Sequence, residues 1–130
     1  MDCWITGNGA IGGSVSRGIG ITKKELTHGK FGCKCAYCGI SISMIDMHID
    51  HINPKKLGGK SDIKNLNPSC QKCNTTKGGK NLEDYRLHMR IKKSKFSGVI
   101  NASQWRELSY LGVDIPLPIH SFYFEGGSNE

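Results

Sequence analysis

Two Cys-x-x-Cys pairs constrain this chain more than any other feature, namely Cys35 with Cys38 and Cys70 with Cys73. Each pair forms a tight knuckle, and two knuckles supply the four thiolates of a tetrahedral zinc site without an open position. A closed site of this kind suits a structural role. A chain of 130 residues also has a small core that benefits from a metal staple. The sequence therefore predicts one structural zinc held by these four cysteines.

Other interpretations of the cysteines remain open at this point. The four thiols could be buried packing or redox residues, and a redox or zinc-storage protein is one alternative function. Cys33 lies two residues before Cys35 and could take its place, although the Cys-x-x-Cys spacing favours Cys35. Cys33 and Cys3 are then expected to be free thiols or small packing residues.

Composition and charge indicate the cellular compartment and the kind of binding partner. We find neither an N-terminal apolar run typical of a signal peptide nor a stretch long enough to span a bilayer. We therefore expect an intracellular, reducing compartment and no membrane partner, and there Cys-x-x-Cys pairs indicate metal rather than disulfides. The net charge of +7 and pI of about 9.2 favour a polyanionic partner, although a merely soluble basic protein fits too.

Local patterns predict several short elements. Thr22 and Glu25 form a capping box that begins a helix running to about Lys30. The expected elements that follow are a strand over 47–52, a returning strand near 66–67, and helices over 70–78 and 82–91. Ser103 is expected to cap a last helix, and residues 122–124 to form a short apolar strand. The glycine-rich residues 1–20 are predicted to be irregular.

The residues between and within the knuckles resemble the HNH endonuclease family. The matching run extends over residues 33–79: Cys35-x-x-Cys38-Gly, Asp50-His51-Ile-x-Pro, Gly58-Gly59, Asn65-Leu and Cys70-x-x-Cys73-Asn74-x-x-Lys77-Gly. The resemblance implies an α+β fold with a ββα-metal core, stapled here by the four-cysteine zinc site and extended by short helices. The segments 17–22 and 122–124 are loosely similar to the flanks of small, free-standing phage-type members.

The chemistry of phosphodiester hydrolysis explains the residue types in this run. His51 can accept a proton from water, because imidazole titrates near neutral pH. Asp50 offers a carboxylate oxygen and Asn74 an amide oxygen to a catalytic Mg²⁺ or Mn²⁺. The resemblance assigns Asn65 to holding the loop and orienting His51. Asn74 stands where the family name has histidine, a variant known in the family that disfavours softer metals.

Each candidate also has a simpler interpretation. Asp50 could cap a turn, His51 could be a surface residue, Asn65 could form an Asx turn, and Asn74 could face solvent. His48 lies on the same strand face as Asp50 and could touch metal or phosphate, or be a half-exposed strand histidine. Lys77, three residues after Asn74 on the predicted helix, could meet a phosphate or be solvated.

Two groups of cations flank these residues and are candidates for binding the DNA backbone. A solvated charged surface is the alternative for both groups. The first group is a basic loop that contains Lys55, Lys56, Lys60 and Lys64. The second is a basic stretch that contains Lys77, Lys80, Arg86, Arg90, Lys92, Lys93 and Lys95.

The sequence thus predicts three regions and a function. The regions are a glycine-rich segment (1–21), a zinc-stapled nuclease domain (22–95) and a C-terminal helix with a short strand (96–130). The resemblance implies one-metal hydrolysis of DNA that leaves 5′-phosphate and 3′-hydroxyl ends. The chain would nick as a monomer or cut both strands as a homodimer. The alternative is a catalytically inactive zinc module that only binds nucleic acid.

Overall fold

The computed structural model describes residues 21–126. The predictions for residues 1–20, including the irregular glycine-rich segment and Cys3, lie outside this range. In chain order the helices and strands are α1 (Lys23–Gly29), β1 (His48–His51), β2 (Leu66–Ser69), α2 (Gln71–Lys77), α3 (Leu82–Lys92) and α4 (Ala102–Tyr110). Short 3-10 turns cover Lys55–Leu57, Ile63–Asn65 and Tyr123–Glu125.

Helix α1 begins at the predicted capping box. The Thr22 side chain accepts a hydrogen bond from the Glu25 backbone N–H (3.1 Å), and the Glu25 carboxylate accepts one from the Thr22 N–H (2.8 Å). Lys30, just after the helix, donates to the carbonyl oxygens of Ile63 (3.0 Å) and Leu66 (2.6 Å). These bonds attach the end of α1 to the start of β2.

The centre of the fold is an antiparallel strand pair followed directly by a helix. In the register, His48 pairs with Ser69, Asp50 with Asn67 and His51 with Leu66. All four residues of β2 are buried. Cys70 caps α2, since its Sγ lies 3.5 Å from the Cys73 backbone N–H. The predicted α+β class, with a β–β–α core beside the cysteine cluster and short helical extensions, is confirmed.

Aromatic residues from distant parts of the chain form the core. Tyr85 stacks on Phe122 with ring centroids 4.8 Å apart, and Tyr37 contacts both rings edge-on at 5.4 and 5.3 Å. The predicted strand over 122–124 is wrong, because the segment is a 3-10 turn. The Glu125 carboxylate accepts the Phe122 N–H (3.0 Å) and closes this turn locally.

Helices α3 and α4 extend the core on one side. Tyr85, Leu87 and Ile91 are the buried residues of α3. The predicted cap of α4 at Ser103 is wrong, because Asn101 and Gln104 form a reciprocal capping box two residues earlier. Within residues 21–126, the helices are too short or too polar to cross a bilayer.

Candidate active site and zinc centre

The four predicted cysteines converge on one point. The Sγ atoms of Cys35, Cys38, Cys70 and Cys73 all lie within 4.8 Å of one another, and those of Cys38 and Cys70 are 3.7 Å apart. Zn–S bonds of about 2.3 Å place tetrahedral sulfurs about 3.8 Å apart. The cluster therefore fits a metal such as zinc, and its first member is Cys35 rather than Cys33.

The backbone of the first knuckle turns tightly after Cys38. Gly39 takes a positive φ of 81°, and its N–H donates to the Cys35 carbonyl at 2.9 Å. Hydrogen bonds within the cluster lower the pKa of the Cys35 thiol and raise those of the Cys38 and Cys73 thiols. The thiolate is the form of each cysteine that binds metal.

Cys33 belongs to a different site. The prediction of a free or merely packing thiol is wrong, because Cys33 is disulfide-bonded. It is buried, and its left-handed backbone (φ 64°) turns the chain just before the knuckle. A disulfide-bonded cysteine offers no thiolate, so Cys33 does not take the place of Cys35 in the cluster.

Asp50, rather than the apolar Ile49 beside it, is the buried residue of β1. The Asp50 side chain is 6% exposed, whereas Ile49 is 36% exposed. The Tyr37 hydroxyl donates to Oδ2 of Asp50, and the Lys77 ammonium lies 3.3 Å from Oδ1. Burial raises the pKa of the Asp50 carboxyl, and the contacts with Tyr37 and Lys77 oppose that rise.

Lys77 contradicts both of its sequence-based interpretations. It is fully buried, so its ammonium is neither solvated nor open to a phosphate. Its Nζ donates to the carbonyl oxygens of His51 (3.0 Å) and Lys80 (2.8 Å) in addition to pairing with Asp50. The cause is the packing of α2 against β1, which encloses the lysine between helix and strand.

His51 follows Asp50 on β1 and is half-buried. Its Nε2 lies 3.1 Å from Oγ of Ser61, in the loop between the strands. His48 is exposed at the far end of the strand, opposite Ser69. The fold thus brings three of the candidates together: Lys77 contacts both Asp50 and the backbone of His51, which is the next residue on β1. Asn74 is half-buried and lies one helical turn before Lys77 on α2.

Sequence comparison decides which family this arrangement represents. Residues 35–80 match the family model described as HNH endonuclease. This segment is therefore similar to the HNH endonuclease family. The matched segment includes both zinc knuckles, both strands of the hairpin and the whole of α2, so the predicted resemblance is confirmed.

Two curated relatives are similar to this chain over limited lengths. YoqL, an SPbeta prophage-derived protein of Bacillus subtilis strain 168 that is named as a putative HNH endonuclease, is 30% identical over 100 residues. That alignment covers 58% of this chain and 42% of YoqL. The CRISPR-associated endonuclease Cas9 of Corynebacterium diphtheriae is 40% identical over 47 residues, which cover 35% of this chain and 4% of Cas9. This chain thus spans less than half the length of either relative.

A solved structure is also similar. The Type II-C Cas9 enzyme from Actinomyces naeslundii aligns with a TM-score of 0.48 and 21% identity, over 76% of this chain and 12% of that one.

Asn65 holds the loop between the strands through side-chain hydrogen bonds. Oδ1 of Asn65 accepts the Asn53 N–H (2.8 Å), and Nδ2 donates to the carbonyls of Asn53 (3.0 Å) and Lys60 (2.8 Å). Gly59 is required for this closed loop, because a Cβ there would lie 1.7 Å from the Asn53 carbonyl oxygen. The loop held in this way carries Ser61, the hydrogen-bond partner of His51.

Several cations of the basic stretch bind the chain itself. Arg86 pairs with Glu83 and Glu125, and hydrogen bonds from Arg86 lower the pKa of the Glu125 carboxyl. Arg90 donates to the Pro118 carbonyl oxygen at 2.9 Å, and Lys93 donates to that of Ile119 at 3.1 Å. These contacts tie residues 117–125 to α3. The assignment of Arg86 and Arg90 to DNA is therefore corrected, because both side chains are half-buried against the chain, whereas Lys93 is exposed and its assignment stays a prediction.

Other lysines of the molecule are open to solvent. Lys55, Lys56, Lys60 and Lys64 are exposed on the loop between the strands. Lys72 and Lys92 are exposed at the rim of a cavity of about 830 Å³ between α2 and α3, and Ile40 and Met89 also line this cavity. These lysines, together with the exposed Lys93 and Lys95, are available to a polyanion, whereas Lys80 is half-buried and donates to the Thr76 carbonyl oxygen at 3.0 Å.

Tyr37 and Ser61 are the site residues that sequence reasoning missed. Both contact predicted catalytic residues through side-chain hydrogen bonds. The position of Tyr37 between two zinc ligands was the available signal, because it places the ring beside a fixed backbone.

Proposed function

We propose that this chain hydrolyses DNA phosphodiester bonds with a single catalytic divalent metal, Mg²⁺ or Mn²⁺. The observation that carries the proposal is the adjacency of Asp50 and His51 on a strand packed against the HNH helix α2, beside the cysteine cluster. The relatives support it, because both bear the names of endonucleases.

Asp50 and Asn74 are the proposed ligands of the catalytic metal. An ionised carboxylate offers about four lone-pair positions, and Tyr37 and Lys77 occupy two of those on Asp50. A hard oxygen donor set of carboxylate and amide suits Mg²⁺ or Mn²⁺. When bound, the metal would stabilise the charge that develops on the phosphate.

His51 is the proposed general base. An imidazole can accept the proton of an attacking water near neutral pH. Asn65 supports this role by holding the loop that places Ser61 against Nε2 of His51. The products would carry 5′-phosphate and 3′-hydroxyl ends. A single site cuts one strand, so the chain would nick, or cut both strands as a homodimer.

The exposed lysines are the proposed contacts to the DNA backbone. Lys60 and Lys64 flank the segment that meets His51, and Lys72 lies on the helix that carries Asn74. Such contacts position a phosphate without reading sequence.

A plasmid-relaxation assay with sequencing of the product ends tests the proposal. We expect Mg²⁺-dependent nicking by the wild type and a loss of roughly 10²–10⁴-fold in His51→Ala, the usual range for a general base. Asp50→Ala and Asn74→Ala should also lose activity, with partial recovery at high Mn²⁺. His48→Ala is the matched control, since His48 is an exposed histidine on the same strand, and it should cleave normally. A wild type that binds DNA without cleaving it would favour the inactive nucleic-acid-binding module.

A further inference from the structure

We infer that Tyr37 is a positioning residue that links the zinc knuckle to the catalytic carboxylate by holding Asp50 in the orientation that binds metal. The inference rests on the proposed function, since it assigns Asp50 to a catalytic metal. The contact that carries it is the hydrogen bond from the Tyr37 hydroxyl to Oδ2 of Asp50.

The packing around Tyr37 fixes the position of its hydroxyl. Tyr37 lies in sequence between the proposed zinc ligands Cys35 and Cys38, and the residue is only 3% exposed. Its ring is enclosed edge-on by Tyr85 and Phe122, at centroid distances of 5.4 and 5.3 Å. A side chain confined in this way loses little freedom when it donates a hydrogen bond, so it can orient its partner.

The backbone of the knuckle adds a second constraint. The Ala36 N–H donates to the Pro68 carbonyl of β2 at 2.8 Å, and the Tyr37 carbonyl accepts the Tyr123 N–H at 3.1 Å. Strand β2 pairs with β1, and Asp50 lies opposite Asn67 in the register. The knuckle and the catalytic strand are therefore attached through the sheet as well as through the Tyr37 hydroxyl.

The two oxygens of Asp50 have different partners. Tyr37 holds Oδ2, whereas the Lys77 ammonium lies 3.3 Å from Oδ1. Rotation of the carboxylate about its Cβ–Cγ bond would break both contacts. Removing the hydroxyl of Tyr37 should leave Oδ2 without this donor and the carboxylate less well ordered for a metal. Loss of such an outer partner typically weakens metal affinity or activity by about 10–100-fold.

Tyr37→Phe isolates this contact, because the ring and its packing are kept. Mn²⁺ binding to the zinc-loaded chain without DNA, measured by electron paramagnetic resonance, should weaken by about tenfold or more. The cleavage rate should fall in parallel, while zinc content and DNA affinity stay at wild-type values. Tyr85→Phe is the control, since Tyr85 is a buried tyrosine of the same aromatic cluster whose hydroxyl hydrogen-bonds Cys73 rather than Asp50.

The outcomes separate this inference from the proposed function. Equal Mn²⁺ affinity in Tyr37→Phe and the wild type, or equal weakening in Tyr85→Phe with zinc retained, overturns the positioning role. A wild type that binds Mn²⁺ but does not cleave DNA overturns the proposed function alone. A wild type that binds no Mn²⁺ at its protein ligands overturns both.

Discussion

Lys77→Met tests the buried ion pair at the centre of the site. The lysine is fully buried, its ammonium lies 3.3 Å from Oδ1 of Asp50, and it donates to two carbonyl oxygens. Methionine keeps an unbranched side chain of similar shape but carries no charge and no N–H. The substitution therefore leaves Asp50 buried, with the Tyr37 hydroxyl as its remaining side-chain hydrogen-bond donor among residues 21–126.

The expected cost is large for a domain of this size. Removing one partner of a buried pair costs about 3–5 kcal/mol, because the other charge stays desolvated and unpaired. Small domains have unfolding free energies of about 5–15 kcal/mol, so this loss removes much of the margin. With a urea m-value of about 1.5 kcal/mol/M, the midpoint should fall by about 2–3 M.

Urea unfolding at fixed free zinc, without other divalent metals, measures this cost. Lys72→Met is the matched control, because Lys72 is an exposed lysine on the same helix, and its effect should stay within about 0.5 kcal/mol. Adding Asp50→Asn to Lys77→Met should restore part of the loss, because no buried charge then remains. A Lys77→Met midpoint equal to that of Lys72→Met would refute the reasoning.

The loss of unfolding free energy in Lys77→Met should also depend on pH, and the protonation of Asp50 determines the direction of that dependence. Burial already raises the pKa of the Asp50 carboxyl, and the Lys77 ammonium opposes that rise. Without Lys77 the folded-state pKa should rise further above its unfolded value. The folded variant then binds the proton more tightly than the unfolded chain, so it gains stability as the pH falls. The deficit of Lys77→Met relative to the wild type should therefore shrink from about pH 8 to about pH 5.

Three further predictions concern the zinc, the loop and the DNA surface. Cys38→Ser should lower the zinc content from about one ion per chain. It should also sharply reduce the melting temperature, because the free energy of metal binding contributes to folding. An unchanged melting temperature in a zinc-free chain would contradict the assignment. Asn65→Ala should reduce cleavage while nearly keeping Mn²⁺ affinity, since its bonds hold the loop and not Asp50; equal losses in both would place Asn65 at the metal. Changing Lys72 and Lys92 together to Gln should weaken DNA binding equally on unrelated sequences. The slope of log affinity against log salt concentration should become shallower by about 2 units. An unaltered slope would show that neither residue contacts DNA.

The parts of the fold that local chemistry determines could be predicted from the sequence. The capping box of Thr22 and Glu25 lies within four residues, so α1 could be located before any tertiary contact was known. The Cys-x-x-Cys spacing identified four thiols that meet in space, because few arrangements satisfy two knuckles at once. The capping position of α4 was misplaced by two residues, since Asn101 and Ser103 both suit a helix start.

The parts that long-range packing determines could not be predicted. Lys77 is buried because α2 packs against β1, whereas the sequence indicated either a phosphate contact or a solvated side chain. Arg90 follows other cations in sequence, yet its partner is the carbonyl of Pro118, which a local pattern cannot indicate. Tyr37 and Asp50 are thirteen positions apart in the chain, and neither residue type by itself predicts a contact with the other.

The pH dependence of single-turnover plasmid nicking by the wild type and His51→Ala tests the central claim most directly. Saturating Mg²⁺ and excess enzyme make the observed rate report the chemical step. If His51 is the general base, wild-type nicking should rise with pH across about pH 5–8, the range in which histidine side chains lose their proton. The residual activity of His51→Ala should be lower by roughly 10²–10⁴-fold and should lack that rise. A His51→Ala chain that nicks at the wild-type rate with the same pH dependence would contradict the account.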